Sequence, residues 1–333
     1  MGYRFEDDGS VRLDERTIPV PTTISLEARQ ALIDSAKRPP TTAGLADRRA
    51  EIDATMQTVN AWAAQLYPVT IGEVSIGGVR CHRITPGTPD APVEPTHNVL
   101  INLHAGGFVV GSGALGEAIP IASLTGTTVL AVDYRLAPEH PYPAAVDDVI
   151  AVYRVVLEHH AAHEIGIYGT SAGAFLAAQV IVRLREEGLP IPACAGMFSG
   201  GGDLTDLGDS ASIFHLDGFA GERIHPFDHP ANINRAYLQG VEDPRQPLVA
   251  PLFADLDGFP PTLLVTSTRD AVLSATALMH RALRRARVPA DLIVFEALPH
   301  GFWYNLGLPE TREALAAMAD FFTTHLGAGE LAR

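Results

Sequence analysis

From residue 98 onward, short unbroken apolar runs alternate with longer segments whose apolar residues recur every three or four positions. Asn98–Leu103, Thr127–Val132, Ile165–Tyr168, Ala193–Phe198, Thr262–Thr266 and Asp291–Phe295 have the length and continuity of strands buried on both faces. Leu115–Leu124, the segment from the loop 133–148 to about His160, Ala174–Leu184, Ala275–Arg287 and Glu310–His325 have helical length and spacing. This alternation predicts an α/β fold: a mostly parallel central sheet of about eight strands with helices on both faces. Before residue 98 the pattern differs. Val69–Ile76 and Val79–Thr85 meet at Gly77-Gly78, a hairpin signal. Two helical patterns precede them. One runs from Leu26 through Ile33 behind a capping Ser25. The other carries Ile52, Met56, Val59, Trp62 and Ala63 on one face, and a Pro39–Gly44 linker separates the two. Between Gly200 and about Pro261 the pattern breaks into an irregular insertion rich in Gly, Asp and Pro.

Ligands of such sheets bind outside the carboxyl ends of the strands. Those ends carry His104-Ala105-Gly106-Gly107-Phe108, Asp133, Ser171, Asp270 and His300. Ser171 stands in Gly169-Thr170-Ser171-Ala172-Gly173, between a strand and an apolar helix. A sharp strand-to-helix turn exposes a serine hydroxyl at a helix N-terminus, where negative charge is favoured. A serine so placed becomes a nucleophile if a base and an orienting carboxylate reach it. Among the histidines that follow, His300 sits on a short loop just after a strand and before Gly301. His215, His225 and His229 lie in the insertion, and His280 and His325 in helical runs. Asp270 ends Thr262–Asp270 in the same way. Ser274 is the better-placed cap for the helix that follows, which leaves the Asp270 carboxylate for His300. Backbone N–H groups of Gly106 and Gly107, joined by that of Ala172, are placed to receive a developing oxyanion.

These motifs together resemble the bacterial hormone-sensitive-lipase-like esterases of the α/β-hydrolase superfamily, over about residues 95–325. The resemblance rests on HAGGF at 104–108, DYRLAPEHPYPAA at 133–145, GTSAGA at 169–174, RDAVLS at 269–274 and PHGFW at 299–303. It implies a single hydrolase domain over 1–333, with a cap from 1–65 and about 203–245. It implies Ser171, Asp270 and His300 as catalytic residues and Gly106, Gly107 and Ala172 as the oxyanion hole. The expected reaction is hydrolysis of short- to medium-chain acyl esters through an acyl-enzyme. A lactone hydrolase is the alternative, and a ligand-binding protein on the hydrolase fold a more distant one. Aromatic bulk at Phe108, Phe214 and Phe219, with Phe227 and Trp62, would close an acyl pocket. A homodimer through the last strand and helix is a further implication. The chain departs from the family at Ala105, where glycine is usual, and at Ser274, where an acidic residue is frequent. The DYRLAPEHPYP loop is expected to brace the site, with Arg135 bonded to Asp133 or Glu139 and no catalytic role for Asp133, Glu139 or His140.

Composition narrows the partners. The chain has 333 residues, 47% hydrophobic and 19% charged, and a formal charge of −15. That charge disfavours nucleic acid and anionic membranes. The two cysteines, Cys81 and Cys194, border apolar segments and read as buried thiols. No nucleotide-binding glycine motif is present, so no cofactor is expected. His159 and His163 stand at i, i+4, as helix metal ligands can, but without an H-E-x-x-H motif and at a helix C-terminus that favours cations; Asp203, Asp206 and Asp209 are spaced by three rather than by two as in a calcium loop, so no metal is expected either. No apolar run approaches 18 residues, and MGYRFEDDGS has neither a signal peptide's basic start nor, with Glu6, a myristoylation pattern. A cytoplasmic location is the resulting expectation.

Overall fold

The apolar runs all become strands of one sheet. A computed structural model describes residues 3–5, 11–13, 18–37, 44–219 and 224–327. The N-terminal features read from residues 1–10, most of the Pro39–Gly44 linker, and residues 220–223 of the insertion lie outside or largely outside these. A short antiparallel ribbon, Tyr3–Phe5 with Val11–Leu13, stands apart from the main sheet. The main sheet contains β1 (Val69–Ile76), β2 (Val79–Thr88), β3 (Val99–Leu103), β4 (Thr128–Val132), β5 (Ile165–Thr170), β6 (Cys194–Phe198), β7 (Thr262–Ser267) and β8 (Ala290–Phe295). Their order is β8-β7-β6-β5-β3-β4-β2-β1, and a two-residue strand, Ala91–Pro92, pairs with the end of β2. β1 and β2 run antiparallel to their neighbours, and every pair from β4 to β8 is parallel. Gly77 and Gly78 both take positive φ, 58° and 80°. A two-residue hairpin whose turn matches the twist of its strands requires this.

Helices cover both faces. α4 (Ala144–Val156), α5 (Ala172–Glu186) and α8 (Leu273–Arg285) pack on one, and α3 (Ala118–Thr125) and α9 (Pro309–His325) on the other. β5 shows why its run is unbroken. Ile165 and Ile167 join the first core while Tyr168 joins the second, and all are buried. Among the described residues no helix is long and apolar enough to cross a membrane.

The two N-terminal helices form as their patterns predict. α1 (Leu26–Ser35) starts at Ser25, whose hydroxyl accepts from the Ala28 N–H at 3.0 Å and donates to Glu310 of α9 at 2.8 Å. α2 (Leu45–Leu66) turns Ile52, Met56, Val59 and Ala63 inward, but Trp62 is left 36% exposed. Polar groups do much of the docking of α2. Arg49 donates to the carbonyls of Val109 and Ala137 at 2.8 and 2.9 Å and to the carboxylate of Glu139. Asn60 bridges Gly113 O and Leu115 N, both at 2.8 Å. α2 therefore spans the loops that follow β3 and β4. Among the described residues the insertion carries two short helices, α6 (Asp209–Ile213) and α7 (Asn234–Tyr237), and a turn at Pro251–Phe253.

The bracing loop differs in its partners from the sequence expectation. Arg135 pairs with Asp148 of α4, at 2.8 Å, rather than with Asp133 or Glu139. Glu139 is held by Arg49. Asp133 accepts from Ser112 Oγ at 2.9 Å and Gly113 N at 2.7 Å and faces Arg80 at 2.5 Å. Burial would raise the Asp133 pKa, but His82, His104 and these donors hold it below the usual carboxylate range. The reason for the exchange is geometric. Asp148 is one helical turn into α4, directly over the loop, whereas Asp133 points back toward β2 and the end of β3.

Candidate active site

The turn after β5 is tight. At Ser171 the backbone has φ 56° and ψ −120°, a region that side chains other than glycine avoid. Gly169 and Gly173 lie against the end of β3, where a Cβ on either would strike the Leu103 carbonyl. Ser171 N donates to Phe198 O at 2.9 Å, which ties the turn to the end of β6. α5 then begins at Ala172. The Ser171 side chain makes no capping bond with it, so the hydroxyl is not used structurally there.

Asp270 follows β7 and is completely buried. Its Oδ1 faces His300 Nδ1 at 2.8 Å and accepts from Val272 N at 3.0 Å, and its Oδ2 accepts from Thr266 Oγ1 at 2.8 Å and from Ser199 Oγ. Burial alone would push the carboxyl up. The His300 charge and the hydrogen bonds from His300, Ser199 and Val272 N outweigh it, so its pKa is lowered. His300 is held at both ends, since its backbone N–H donates to Leu216 O of the insertion at 3.1 Å. Its side chain is 12% exposed, and Nε2 is buried with no hydrogen-bond partner among the described residues. The arrangement can hold one imidazole tautomer, with Nδ1–H on the carboxylate and Nε2 open to receive a proton.

The loop after β3 bends sharply. Gly106 and Gly107 take φ 127° and 57°, and a Cβ on Gly107 would strike Ile233 of the insertion. The N–H groups of Gly106, Gly107 and Ala172 find no acceptor among the described residues. His104 anchors this loop. Its ring stacks on Tyr134 at 4.1 Å, its Nδ1 pairs with Ala105 O at 2.7 Å, and burial lowers its pKa. It is a buried structural residue of the loop.

Two sequence expectations change here. Phe108 is fully buried and stacks on Tyr237 at 3.6 Å, so its ring braces the loop and presents no face to a substrate. At φ 64° its side chain is directed into the core. Ser274 does not cap α8, which starts one residue earlier at Leu273. Instead Ser274 and Ser210 exchange hydrogen bonds of 2.9 and 3.1 Å and fasten α6 to α8. Phe214 and Phe219 do meet, with ring centroids 5.0 Å apart, and Arg269 lies 4.9 Å over Phe219, next to the Asp270 loop. Trp62 is elsewhere, against Gly307. A cavity of about 570 Å³ lies within the insertion, lined by Leu204, Leu207, Ile224, Phe227, Asp243 and Arg245 among others. None of Ser171, Asp270 and His300 lines it.

Ser199 and Thr266, which with His300 orient Asp270, were not singled out by sequence reasoning. Their only signal is a hydroxyl within or just after an apolar strand run. For metals, His97, His160 and Glu164 bring ligand atoms within 4.8 Å of one another. They precede β3 and β5, at the amino ends of these strands, whereas Ser171 follows the carboxyl end of β5. The predicted thiols are buried and unpaired, and burial pushes each up to about 12.

Comparison with known proteins agrees with this geometry. A family profile for the alpha/beta hydrolase fold matches residues 100–304. An acetyl-hydrolase of Streptomyces hygroscopicus is 34% identical over 72% of this chain and 79% of its own length. An esterase of Acinetobacter venetianus is 33% identical over 78% and 85%. The crystal structure of an esterase superposes with a TM-score of 0.81 at 32% identity, covering 95% of this chain and 99% of that one. Another, of an esterase from the bacterial hormone-sensitive lipase family, gives 0.76 at 29% identity, covering 90% and 97%. Sheet order, the strained turn at Ser171 and these likenesses lead to one conclusion: the chain belongs to the α/β-hydrolase family, with the esterases of the bacterial hormone-sensitive-lipase type.

Proposed function

We propose that the chain hydrolyses short- to medium-chain carboxylic esters through an acyl-enzyme on Ser171, under a cap built from residues 1–65 and about 203–245. The observation that carries this reading is the buried pair His300 Nδ1–Asp270 Oδ1 at 2.8 Å, with Nε2 left unpartnered on the strand-end edge that holds Ser171. His300 Nε2 takes the Ser171 proton as Oγ attacks the ester carbonyl. The oxyanion is received by the N–H groups of Gly106, Gly107 and Ala172. The alcohol leaves with the proton from His300, and water, activated by the same nitrogen, releases the acid from Ser171. Asp270 keeps the imidazole in the required tautomer and stabilises its charged form. The names of the relatives, acetyl-hydrolase and esterase, support an ester with a small acyl group.

Support for the cap comes from contacts. Leu216 O holds the His300 loop, Ile233 presses on Gly107, and α2 crosses the loops after β3 and β4. The test is a p-nitrophenyl ester series from acetate to palmitate. The expected result is an optimum among the short chains, which also measures the room that the cap leaves. No turnover of any ester would overturn the reading, and a lactone assayed beside the series separates cyclic from linear substrates.

The homodimer and the cytoplasmic location are proposals of the same kind. β8 is an edge strand with Val294 exposed, which favours pairing there. A monomer mass by light scattering would remove the dimer. The unpaired buried cysteines suit a reducing compartment, and export of the protein into the culture medium would count against it.

A further inference from the structure

Directly beneath the Ser171 turn lies a buried carboxyl that the mechanism does not use. Glu117, just ahead of α3, is 2% exposed. Its Oε1 accepts from Asn102 Nδ2 of β3 at 2.8 Å, and its Oε2 accepts from Thr170 Oγ1. Thr170 is the residue before Ser171. The same hydroxyl accepts from Trp303 Nε1 at 3.1 Å, and Trp303 is three residues beyond His300. One hydrogen-bonded unit thus joins the end of β3, the nucleophile turn and the histidine loop. Ring contacts brace it, since Trp303 packs on Phe198 and Phe302.

We propose that Glu117 is a positioning residue, which through Thr170 holds the Ser171 turn and the His300 loop at a fixed separation. This rests on the catalytic reading of Ser171 and His300. The logic is one of donors. Thr170 has one hydroxyl proton, and with Trp303 donating to its oxygen that proton must go to an acceptor. The Glu117 carboxylate supplies it. Nucleophile and base have to stay within a fraction of an ångström of their working geometry, and a displacement of about 1 Å costs on the order of 100-fold in rate. A buried, fully bonded relay between their two loops provides that constraint.

Burial also pushes the Glu117 carboxyl up to about 7. The titratable groups whose ionisation it influences are the phenols of Tyr134, Tyr168 and Tyr304, all raised by burial. The folded-state pKa exceeds the ordinary value, so the stability linked to the protonated form is fully present below about 4.5 and is lost as pH rises through about 7. Glu117→Gln has no such linkage. Its Tm relative to wild type should therefore climb between pH 5 and pH 8, which tests the carboxyl's burial independently of catalysis.

The decisive test is Thr170→Val, which keeps the side-chain shape and removes the hydroxyl. On p-nitrophenyl acetate it is expected to lower kcat by about 10- to 100-fold while KM stays within about twofold, in protein that remains folded at the assay temperature. Glu117→Gln keeps an acceptor for Thr170, and once the Asn102 amide turns over, the new NH₂ group donates to Asn102 Oδ1 in place of the bond that Asn102 Nδ2 now gives Glu117. It should retain kcat within about fivefold at pH 8. Combining the two should cost no more than Thr170→Val alone, because both act on one link. A folded Thr170→Val enzyme with wild-type kcat would overturn the proposal, as would a double variant whose kcat falls more than about fivefold below that of Thr170→Val. Ser171→Ala assayed in parallel separates the two failures. If it stays active the catalytic reading falls, and if it is inactive while Thr170→Val is unimpaired only the role of Glu117 falls.

Discussion

Ser171→Ala is expected to lower kcat on p-nitrophenyl acetate by on the order of 10⁴-fold or more, with KM little changed. In the proposed mechanism the hydroxyl is the atom that becomes acylated, and without it only oxyanion stabilisation and binding would remain. The substitution is clean because Ser171 Oγ makes no capping bond to α5 and its backbone N–H, which stays, holds Phe198 O. Alanine inherits the same strained φ of 56°, so Tm should shift by less than about 2 °C. Loss of activity with an unchanged melting curve would locate the effect in the chemistry. A variant within tenfold of wild type would remove Ser171 from the reaction.

Asp270→Asn is expected to cost about 10³- to 10⁴-fold in kcat. The carboxylate receives hydrogen bonds from Thr266, Ser199 and Val272 N as well as facing His300 Nδ1. An amide cannot accept from all four. If its NH₂ turns toward His300, it stabilises the tautomer that carries the proton on Nε2, the nitrogen that accepts one in the proposed mechanism. If it turns toward Ser199 and Thr266, two buried hydroxyls lose their acceptor. Stability should respond as well. The folded pKa of Asp270 is depressed, so its stabilising contribution is present above the ordinary carboxylate range and disappears as pH falls through the lowered value. Wild type should lose this contribution in acid, and the Asn variant should lack that part of the acid dependence. Urea midpoints measured from pH 3 to pH 7 for both proteins check this, and parallel profiles would contradict the buried ionised pair.

Much of this site was legible because its residues are singled out by place. A histidine before a glycine just after an apolar strand, a serine between two glycines at a strand–helix junction, and an aspartate ending a strand each stand where ligands bind α/β sheets. Glu117 was not legible. Nothing beside it in sequence marks it, since it stands ahead of an apolar helix like any solvent-facing residue. Phe108 misled for the opposite reason: it sits inside a motif of the site, but its positive φ directs the ring into the core. Arg49 and Glu139, 90 residues apart, carry charges that look like ordinary surface positions until α2 is laid over the bracing loop.

Local periodicity determined the strands, the helices on both faces, the Gly77-Gly78 hairpin and the residues standing at strand ends, because side-chain repeat and turn geometry are set by near neighbours. Only the tertiary structure decided which of these residues meet. Ser199 reaches Asp270 across 71 positions, Thr170 reaches Glu117 across 53, and Trp303 reaches Thr170 across 133. Such pairings follow from the order in which the strands assemble. Burial makes them obligatory, because a polar group shut away from water must find whichever partner the assembled sheet brings to it.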